Sequence, residues 1–366
     1  MKGKIRVGVL FGGRSAEHEV SLASARNIVH AIDKHKYEVL LIGIDKEGRW
    51  SHIEDPDFFQ VVGEGKLISL PECREPLLVV PFKHAKEFFY KNDGTSIGPV
   101  DVIFPALHGT FGEDGTIQGL LKLAEVPFVG SGVFASAAAM DKDVMKRLLR
   151  DAGIPIARFI VFKWHEKGDI TFEGVRRSVG LPLFVKPTNL GSSVGISKVK
   201  GEGDFWTAVD EAFGYDNKII IEEFIQGREV ECSVIGNEDP IASVPGEIIP
   251  SHEFYSYNAK YVDKDGARFE IPADLSSSQI ERVKDLAVRS FQAICCEGLA
   301  RVDFFVKGDG EVIVNEVNTL PGFTQISLYP KLWEASGIPQ TELINRLIDL
   351  ALERSKREEG LKRTYF

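Results

Sequence analysis

Short apolar runs alternate with segments of helical periodicity along the first third of the chain. Ile5 to Phe11, Tyr37 to Ile44 and Val100 to Ala106 are brief and rich in β-branched residues. Between them, Ser21 to Ile32 and Ile117 to Glu125 carry apolar residues at helical spacing. That order predicts a parallel sheet flanked by helices, an α/β domain over residues 1–138. Val126 to Gly130 reads as a further strand, and Val133 to Asp151 as one helix closed by Gly153 with Pro155 just beyond.

The pattern then changes to a compact α+β unit, residues 139–228. It runs from strand ARFIVF at Ala157 through a helix at Thr171 to Val179, strand LPLFVKP, a Gly/Ser loop, strand VGISKV and a helix at Asp204 to Phe213, ending in strand KIIIEEFI. A third unit, 229–366, begins with Glu229 to Ile235 and Ile241 to Ile249 as antiparallel strands. A polar aromatic stretch from Ser251 to Asp265 follows as a candidate lid. Ser278 with Glu281 makes a capping box for a helix reaching Cys296, and the last helix spans Thr341 to Ser355.

Within the third unit, Ala300 to Asn318 reads ARVDFFVKGDGEVIVNEVN, two alternating strands joined at Lys307-Gly308-Asp309-Gly310-Glu311. With Asp309-Gly310 as a two-residue turn, Asp303 falls opposite Glu316 and Arg301 opposite Asn318, on the face away from Phe304 and Val317. Carboxylates directly across a ladder repel, so such a pair calls for solvent or a cation between them. An all-oxygen set from Asp303, Glu316 and Asn318 suits magnesium, which fills its shell with phosphate oxygens and water. A solvated polar face is the plainer alternative.

Composition narrows the partners. The 366 residues are 43% hydrophobic and 27% charged, with mean hydropathy −0.06, as expected of a globular chain of two or three domains. A formal net charge of −10 and a pI near 5.4 argue against nucleic acid or an anionic membrane as the main partner. The four cysteines, Cys73, Cys232, Cys295 and Cys296, show neither C-x-x-C pairing nor metal spacing, which predicts buried thiols and no structural disulfides. No signal-peptide pattern opens the sequence and no apolar run approaches the roughly 20 residues that span a bilayer, so a cytoplasmic address is expected.

Two glycine-rich segments invite a phosphate. Lys186-Pro187 ends an apolar strand and Gly191-Ser192-Ser193-Val194-Gly195 turns into the next, leaving backbone N–H groups free to approach phosphate oxygens. There is no G-x-x-x-x-G-K-[ST], which excludes a Walker P-loop. Gly130-Ser131-Gly132-Val133-Phe134-Ala135 matches the dinucleotide fingerprint G-x-G-x-x-A, but it lies late in its domain and lacks the acidic residue ending the following strand. A tight strand-to-helix turn is the better reading.

Taken together, the motifs resemble the D-alanine:D-alanine ligase family of the ATP-grasp superfamily, over nearly the whole chain. The resemblance is carried by Gly12-Gly13-Arg14-Ser15-Ala16-Glu17-His18-Glu19-Val20-Ser21, His108-Gly109-Thr110-Phe111-Gly112-Glu113-Asp114-Gly115 and Met140-Asp141-Lys142. It continues through Lys186-Pro187, the Gly191 loop, Lys260-Tyr261, Arg301-Val302-Asp303 and Asn315-Glu316-Val317-Asn318-Thr319-Leu320-Pro321-Gly322, in the family's order. It implies an ATP-grasp fold with a Rossmann-like N-terminal domain. It also implies a two-step, ADP-forming reaction: ATP phosphorylates the carboxylate of one D-alanine, and the amine of a second attacks the acyl phosphate.

By the same resemblance each residue acquires a task. Lys142 and Lys186, with Gly191 and Ser193 of the loop, would hold ATP phosphates. Glu222 and the backbone of Glu223 and Ile225 would face adenine, and Glu229 the ribose. Glu316 would bridge two magnesium ions, completed by Asp303 and Asn318, with manganese as a substitute. Lys260 would add positive charge from the lid, and Arg301 with the N–H of Gly322 would form the oxyanion site. Glu17 would anchor the first ammonium and, with Ser192 and Tyr261, tie three segments into a closed, dry site. His108 would lie near the first substrate, while Ser327 and the neighbouring Leu328 would receive the second carboxylate.

Taken singly, these residues have plainer readings: Glu17 as a helix-start acid, Arg301 as a salt bridge to Asp303, Ser327 as a helix N-cap. The resemblance further implies a homodimer formed through the N-terminal domain. Two other activities stay open: ligation to D-lactate or D-serine, disfavoured by Lys260-Tyr261, and an ATP-binding module without catalysis, disfavoured by the intact Arg301, Asp303, Glu316, Asn318 and Lys260. The charged insertion from Val262 to Arg268 departs from the family's lid.

Overall fold

The computed structural model describes residues 3–55, 58–61, 69–73, 75–84, 87–250 and 266–362. The candidate lid, with Lys260 and Tyr261, lies outside them.

The first third contains β1 (Ile5–Gly12), α1 (His18–Ala31), β2 (Tyr37–Ile44), β3 (Trp50–Ile53), α2 (Phe58–Val61), a hairpin of β4 (Leu78–His84) and β5 (Glu87–Tyr90), β6 (Val102–Pro105) and α3 (Thr116–Leu123). The main sheet runs β3-β2-β1-β6, with β1 parallel to both β2 and β6 and β3 an antiparallel edge. β1 is a nearly unbroken apolar run because both its faces are covered. Val7, Val9 and Phe11 pack with Leu22 and Ile28 of α1, while Leu10 packs with Ile103, Ile117 and Leu121. The strand expected at Val126 to Gly130 shrinks to a single bridge, Phe128 to Ile103. Pro127 has no N–H for a ladder, and Gly130 leaves extended space at φ +100°.

The long helix expected over Val133 to Asp151 is two, α4 (Val133–Met140) and α5 (Lys142–Asp151). Asp141 breaks it: its backbone is extended, its carboxylate accepts from the N–H groups of Asp143 and Val144, and Lys218 binds the same carboxylate at 2.6 Å. The dinucleotide-like segment is structural. Gly130 meets Gly298 so closely that a Cβ on Gly298 would sit 3.2 Å from the Gly130 nitrogen.

Next come β7 (Phe159–Lys163), α6 (Phe172–Val179), β8 (Leu183–Pro187), β9 (Ser197–Val199), α7 (Glu202–Tyr215) and β10 (Lys218–Glu223), whose strands form an antiparallel sheet in the order β7-β10-β8-β9. The last sheet holds β11 (Arg228–Gly236), β12 (Ile241–Ala242), β13 (Gly246–Pro250) and β14 (Ala267–Glu270), then, after α8 (Ser277–Ala293), β15 (Gly298–Val306) and β16 (Val312–Asn318). Its order is β14-β13-β11-β15-β16. The single strand expected over Ile241 to Ile249 is split into β12 and β13 around Val244-Pro245. The capping box of α8 is Ser276 with Gln279, one pair earlier than Ser278 with Glu281. Ser276 Oγ accepts from Gln279 N, and Gln279 Oε1 accepts from Ser276 N at 3.0 Å.

The chain closes with α9 (Leu328–Ala335) and α10 (Gln340–Glu359). Packing does not follow the sequence boundaries at 138 and 228. Met145 and Leu149 of α5 join the core of Val230, Phe291 and Val314, and Leu343, Ile344 and Leu347 of α10 join that of Val7 and Phe11. Within 139–228, α5 thus belongs to another core, while Ile170, Leu183, Val185, Phe205 and Ile219 close a core of their own. Among the described residues, no helix is long and apolar enough to cross a membrane.

Candidate active site

A cavity of about 790 Å³ opens where the start of α1, the loop after β8 and the end of the β15–β16 hairpin meet. Glu17, His108, Lys142, Gly191, Ser192, Arg301, Glu316, Asn318, Gly322, Ser327 and Leu328 all line it, from six separate stretches of chain. Asp303, Lys186, Ser193, Glu222, Glu223, Ile225 and Glu229 lie outside that lining.

The hairpin delivers its polar face by two compensating irregularities. Lys307 and Glu311 close the loop, the Lys307 N–H donating to Glu311 O at 2.9 Å, so three residues turn the chain where two were expected, with Gly310 at φ +91°. Phe304 then pairs with Val314, one residue off the expected register. A bulge at Asn315 restores it: Asp303 faces Glu316 and Arg301 faces Asn318. Val302, Phe304 and Val317 are buried on the other face.

Arg301 donates a bidentate pair to Asp303, Nε to Oδ1 at 2.7 Å and Nη2 to Oδ2 at 2.8 Å, and its Nε lies 3.0 Å from Glu231 of β11. Burial disfavours the charged guanidinium, but Asp303, Glu231 and Glu316 outweigh it and hold the group well above the ordinary arginine range. A fixed cation thus stands at the cavity wall. Among the described residues no three His, Cys, Asp or Glu side chains converge as a closed metal cage. Two carboxylates across a ladder, plus an amide, instead supply hard oxygens of the kind that suits a magnesium ion completed by phosphate and water, with Arg301 on both Asp303 oxygens and the Leu320 N–H on Asn318 Oδ1 here.

Glu17 precedes α1 and accepts a hydrogen bond from Ser192 Oγ, which links the first domain to the Gly/Ser loop. Room for that carboxylate comes from Gly109, at φ +72°, where a Cβ would sit 2.7 Å from Glu17 Oε2. Ser192 and Ser193 are both left-handed, at φ +53° and +59°, a conformation uncommon for residues other than glycine.

His108 is buried and neutral, its imidazolium disfavoured first by burial. Because Leu320 O can only accept, Nδ1 carries the proton and donates to it at 3.2 Å. Nε2 then accepts from Ser24 Oγ at 2.9 Å, and Ser24 accepts from Phe323 N–H at 3.1 Å. This relay fixes the 320–323 segment, including Gly322, against α1. Ser327 occupies the N-cap position of α9 but makes no side-chain cap; its hydroxyl accepts from Thr324 N at 2.9 Å. A Cβ on Gly322 would lie 2.7 Å from that hydroxyl.

Of the neighbouring lysines, Lys142 lines the cavity, whereas Lys186 and Lys146 do not. Lys142 Nζ donates to Leu190 O at 2.7 Å and lies 3.7 Å from Glu316. Glu222 sits between Lys186 at 2.6 Å and Lys146 at 3.1 Å. Burial raises its carboxyl, yet the two ammonium groups overcome this and hold it at about 2. Glu223 is occupied by Arg158, which binds its carboxylate at 2.7 Å and accepts its N–H at 3.1 Å. Ile225 is half-buried beyond β10, and Glu229 pairs with Phe305 on β11.

Three residues escaped the sequence reading. Glu113 lines the cavity and accepts from Gly109 N at 2.6 Å; burial first, then the Glu17 charge, push its carboxyl well up. It lies within the His108–Gly115 motif, so the motif itself was the signal. Glu231 lies across the ladder from Asp303, two residues beyond Glu229 on the same face of β11, where strand alternation would have found it. Lys146, one turn after Lys142, reads in sequence as one more helix lysine.

Family profiles match both halves of the chain: D-ala D-ala ligase N-terminus over residues 6–131 and D-ala D-ala ligase C-terminus over residues 148–349. A D-alanine–D-alanine ligase of Oceanobacillus iheyensis is 52% identical over 360 residues, covering 98% of each chain. Among solved structures, the D-alanine–D-alanine ligase of Coxiella burnetii superposes with a TM-score of 0.85 at 40% identity, over 97% of this chain and 96% of that one. The VanG D-Ala:D-Ser ligase of Enterococcus faecalis gives a TM-score of 0.84 at 34% identity, over 95% of this chain and 100% of that one.

Proposed function

The chain belongs to the D-alanine–D-alanine ligase family, with its ATP-grasp fold, and from that premise we propose that it joins two D-alanine molecules for peptidoglycan synthesis. The reaction uses ATP and depends on a divalent metal. ATP phosphorylates the first carboxylate; the second amine then attacks the acyl phosphate, forming the amide and releasing phosphate. The observation that supports this most is the convergence on one cavity of Glu17 with Ser192, Arg301 with Glu316 and Asn318, and Gly322 beside Ser327.

Each group has a physical task. Glu17, an acid beside two glycines, binds the ammonium of the first D-alanine. Lys142 and Lys186 neutralise ATP phosphates, with Gly191 and Ser193 covering them; Glu222, Glu223 and Ile225 face the base, and Glu229 the ribose. Asp303, Glu316 and Asn318 would hold two magnesium ions, with manganese as a substitute, a set that would supply positive charge to screen the phosphate oxygens. Arg301 and the Gly322 N–H stabilise the oxyanion of the tetrahedral intermediate, where a fixed donor is worth roughly 3–4 kcal/mol. His108 positions the first substrate, and Ser327 and Leu328 receive the carboxylate of the second. For Lys260 and Tyr261, which lie outside the described residues, the proposed role is to exclude water from the acyl phosphate. The enzyme works in the cytoplasm as a homodimer formed through its N-terminal domain.

ADP release measured with D-alanine, L-alanine, D-serine and D-lactate as competing substrates tests this reading. Dependence on D-alanine with dipeptide product is expected. A preference for D-serine or D-lactate as second substrate, or ATP binding without D-alanine-dependent phosphate release, would overturn it.

A further inference from the structure

β16 is an edge strand of its sheet, and the far side of its backbone must find partners outside the ladder. Val314 N–H donates to Pro155 O at 2.9 Å. The next groups are met by two consecutive residues of α5. Val317 N–H reaches Met145 Sδ at 3.3 Å, and Asn315 O accepts from Lys146 Nζ at 3.2 Å. Asn315 is the inserted residue of the bulge, paired with no residue of β15. Lys146 is 1% exposed, and its other contact is Glu222, 3.1 Å away.

The bulge decides which residues face the cavity. If the register of Phe304 with Val314 continued unbroken, Asn315 would oppose Asp303 and Val317 would oppose Arg301. Glu316 and Asn318 would then turn toward the buried side. A bulge leaves its extra residue without ladder bonds, so it persists only where something else satisfies that residue. Here that partner is a buried ammonium, itself held by a carboxylate on another sheet.

We infer that Lys146 is a positioning residue for the cation site: by clamping the Asn315 carbonyl it fixes the bulge that sets Glu316 and Asn318 opposite Asp303 and Arg301. Through Glu222 the same ammonium ties this register to β10. Lys146 touches neither substrate nor ion; it acts through the strand. The inference rests on the reading of Asp303, Glu316 and Asn318 as ion ligands.

The test measures manganese binding to the full-length protein with ADP by electron paramagnetic resonance, alongside thermal melts and steady-state kinetics. Lys146→Met keeps the volume and removes the clamp. Outer partners of a metal site typically contribute on the order of 10- to 100-fold in affinity, so the manganese Kd should rise by that factor. Lys146→Met also leaves Glu222 short of one counter-charge, so Lys146→Met/Glu222→Gln is the second variant. It relieves the uncompensated charge and leaves the carbonyl unclamped. Because Glu222 is also assigned to the base, the double variant is read against Glu222→Gln alone: recovered melting temperature with manganese affinity weaker than that of Glu222→Gln is the expected result, and it carries the test if the single variant does not fold. Manganese affinity at the wild-type level in a folded Lys146→Met, or restored in the double variant, would overturn the inference and leave Lys146 as a counter-charge only. Wild-type protein that binds no manganese with ADP, or a Glu316→Gln variant that binds it as tightly, would instead sink the ligand assignment.

Discussion

Replacing Ser192 by alanine removes the hydroxyl that donates to Glu17. Ser192 is left-handed at φ +53°, so glycine would change the backbone energetics along with the hydroxyl, whereas alanine keeps the Cβ and removes the hydroxyl alone. The lost bond runs to the Glu17 carboxylate, and a hydrogen bond to a charged acceptor contributes roughly 1.5–3 kcal/mol. At about 1.4 kcal/mol per decade, kcat/KM for D-alanine should fall by roughly 10- to 150-fold. Stability should change little, because Ser192 is only half-buried and no hydrophobic core cluster includes it. Coupled ADP-release kinetics at varied D-alanine, with a thermal melt of the same preparation, decide the matter. If kcat/KM stayed within threefold of wild type, the bridge between the first domain and the Gly/Ser loop would not be part of the working site. A loss matched by a large drop in melting temperature would equally refute it, by showing a folding defect.

Glu316→Gln should leave the melt near wild type and cut turnover by orders of magnitude, because it removes a charge facing both Asp303, in the proposed cation site, and Lys142; ADP release near the wild-type rate would discard the ligand set. Gly322→Ala puts a Cβ 2.7 Å from Ser327 Oγ and forces that hydroxyl off Thr324, so KM for the second D-alanine should rise more than KM for the first, as initial-rate analysis over both sites would show. Glu222 has its carboxyl held at about 2 against an ordinary 4.5, so its contribution is fully present above pH 4.5 and is lost as pH falls toward 2. Urea unfolding of Glu222→Gln between pH 5 and 3 should show a shallower acid decline than wild type.

How much of this was legible beforehand varies by element. β1, β2 and α1 could be read directly, because their apolar periods follow from which faces are covered. The break at Asp141 could not, since a continuous apolar pattern runs through it and the decision lies with a lysine 77 positions away. The cap of α8 slipped for a milder reason: Ser276 and Ser278 offer the same chemistry two residues apart, and only the backbone angle at Ser276 selects between them. In the hairpin the expected pairing of Asp303 with Glu316 holds, although the expected turn was one residue short, because loop and bulge cancel.

By itself, the sequence determined the kinds of chemistry present: hard oxygens on one strand face, an arginine beside them, small residues where backbone must approach phosphate, and the order of motifs that marks the family. These are properties of residue type and near neighbours, carried by a few positions at a time. Only the tertiary structure decided which groups share a volume. It brought Glu17 to Ser192 across 175 residues, set Glu231 and Asp303 around Arg301 from two strands, and placed Lys146 under the bulge of β16. Such pairings depend on the packing of whole elements, where a single inserted residue turns a strand over and no local pattern records which partner will satisfy it.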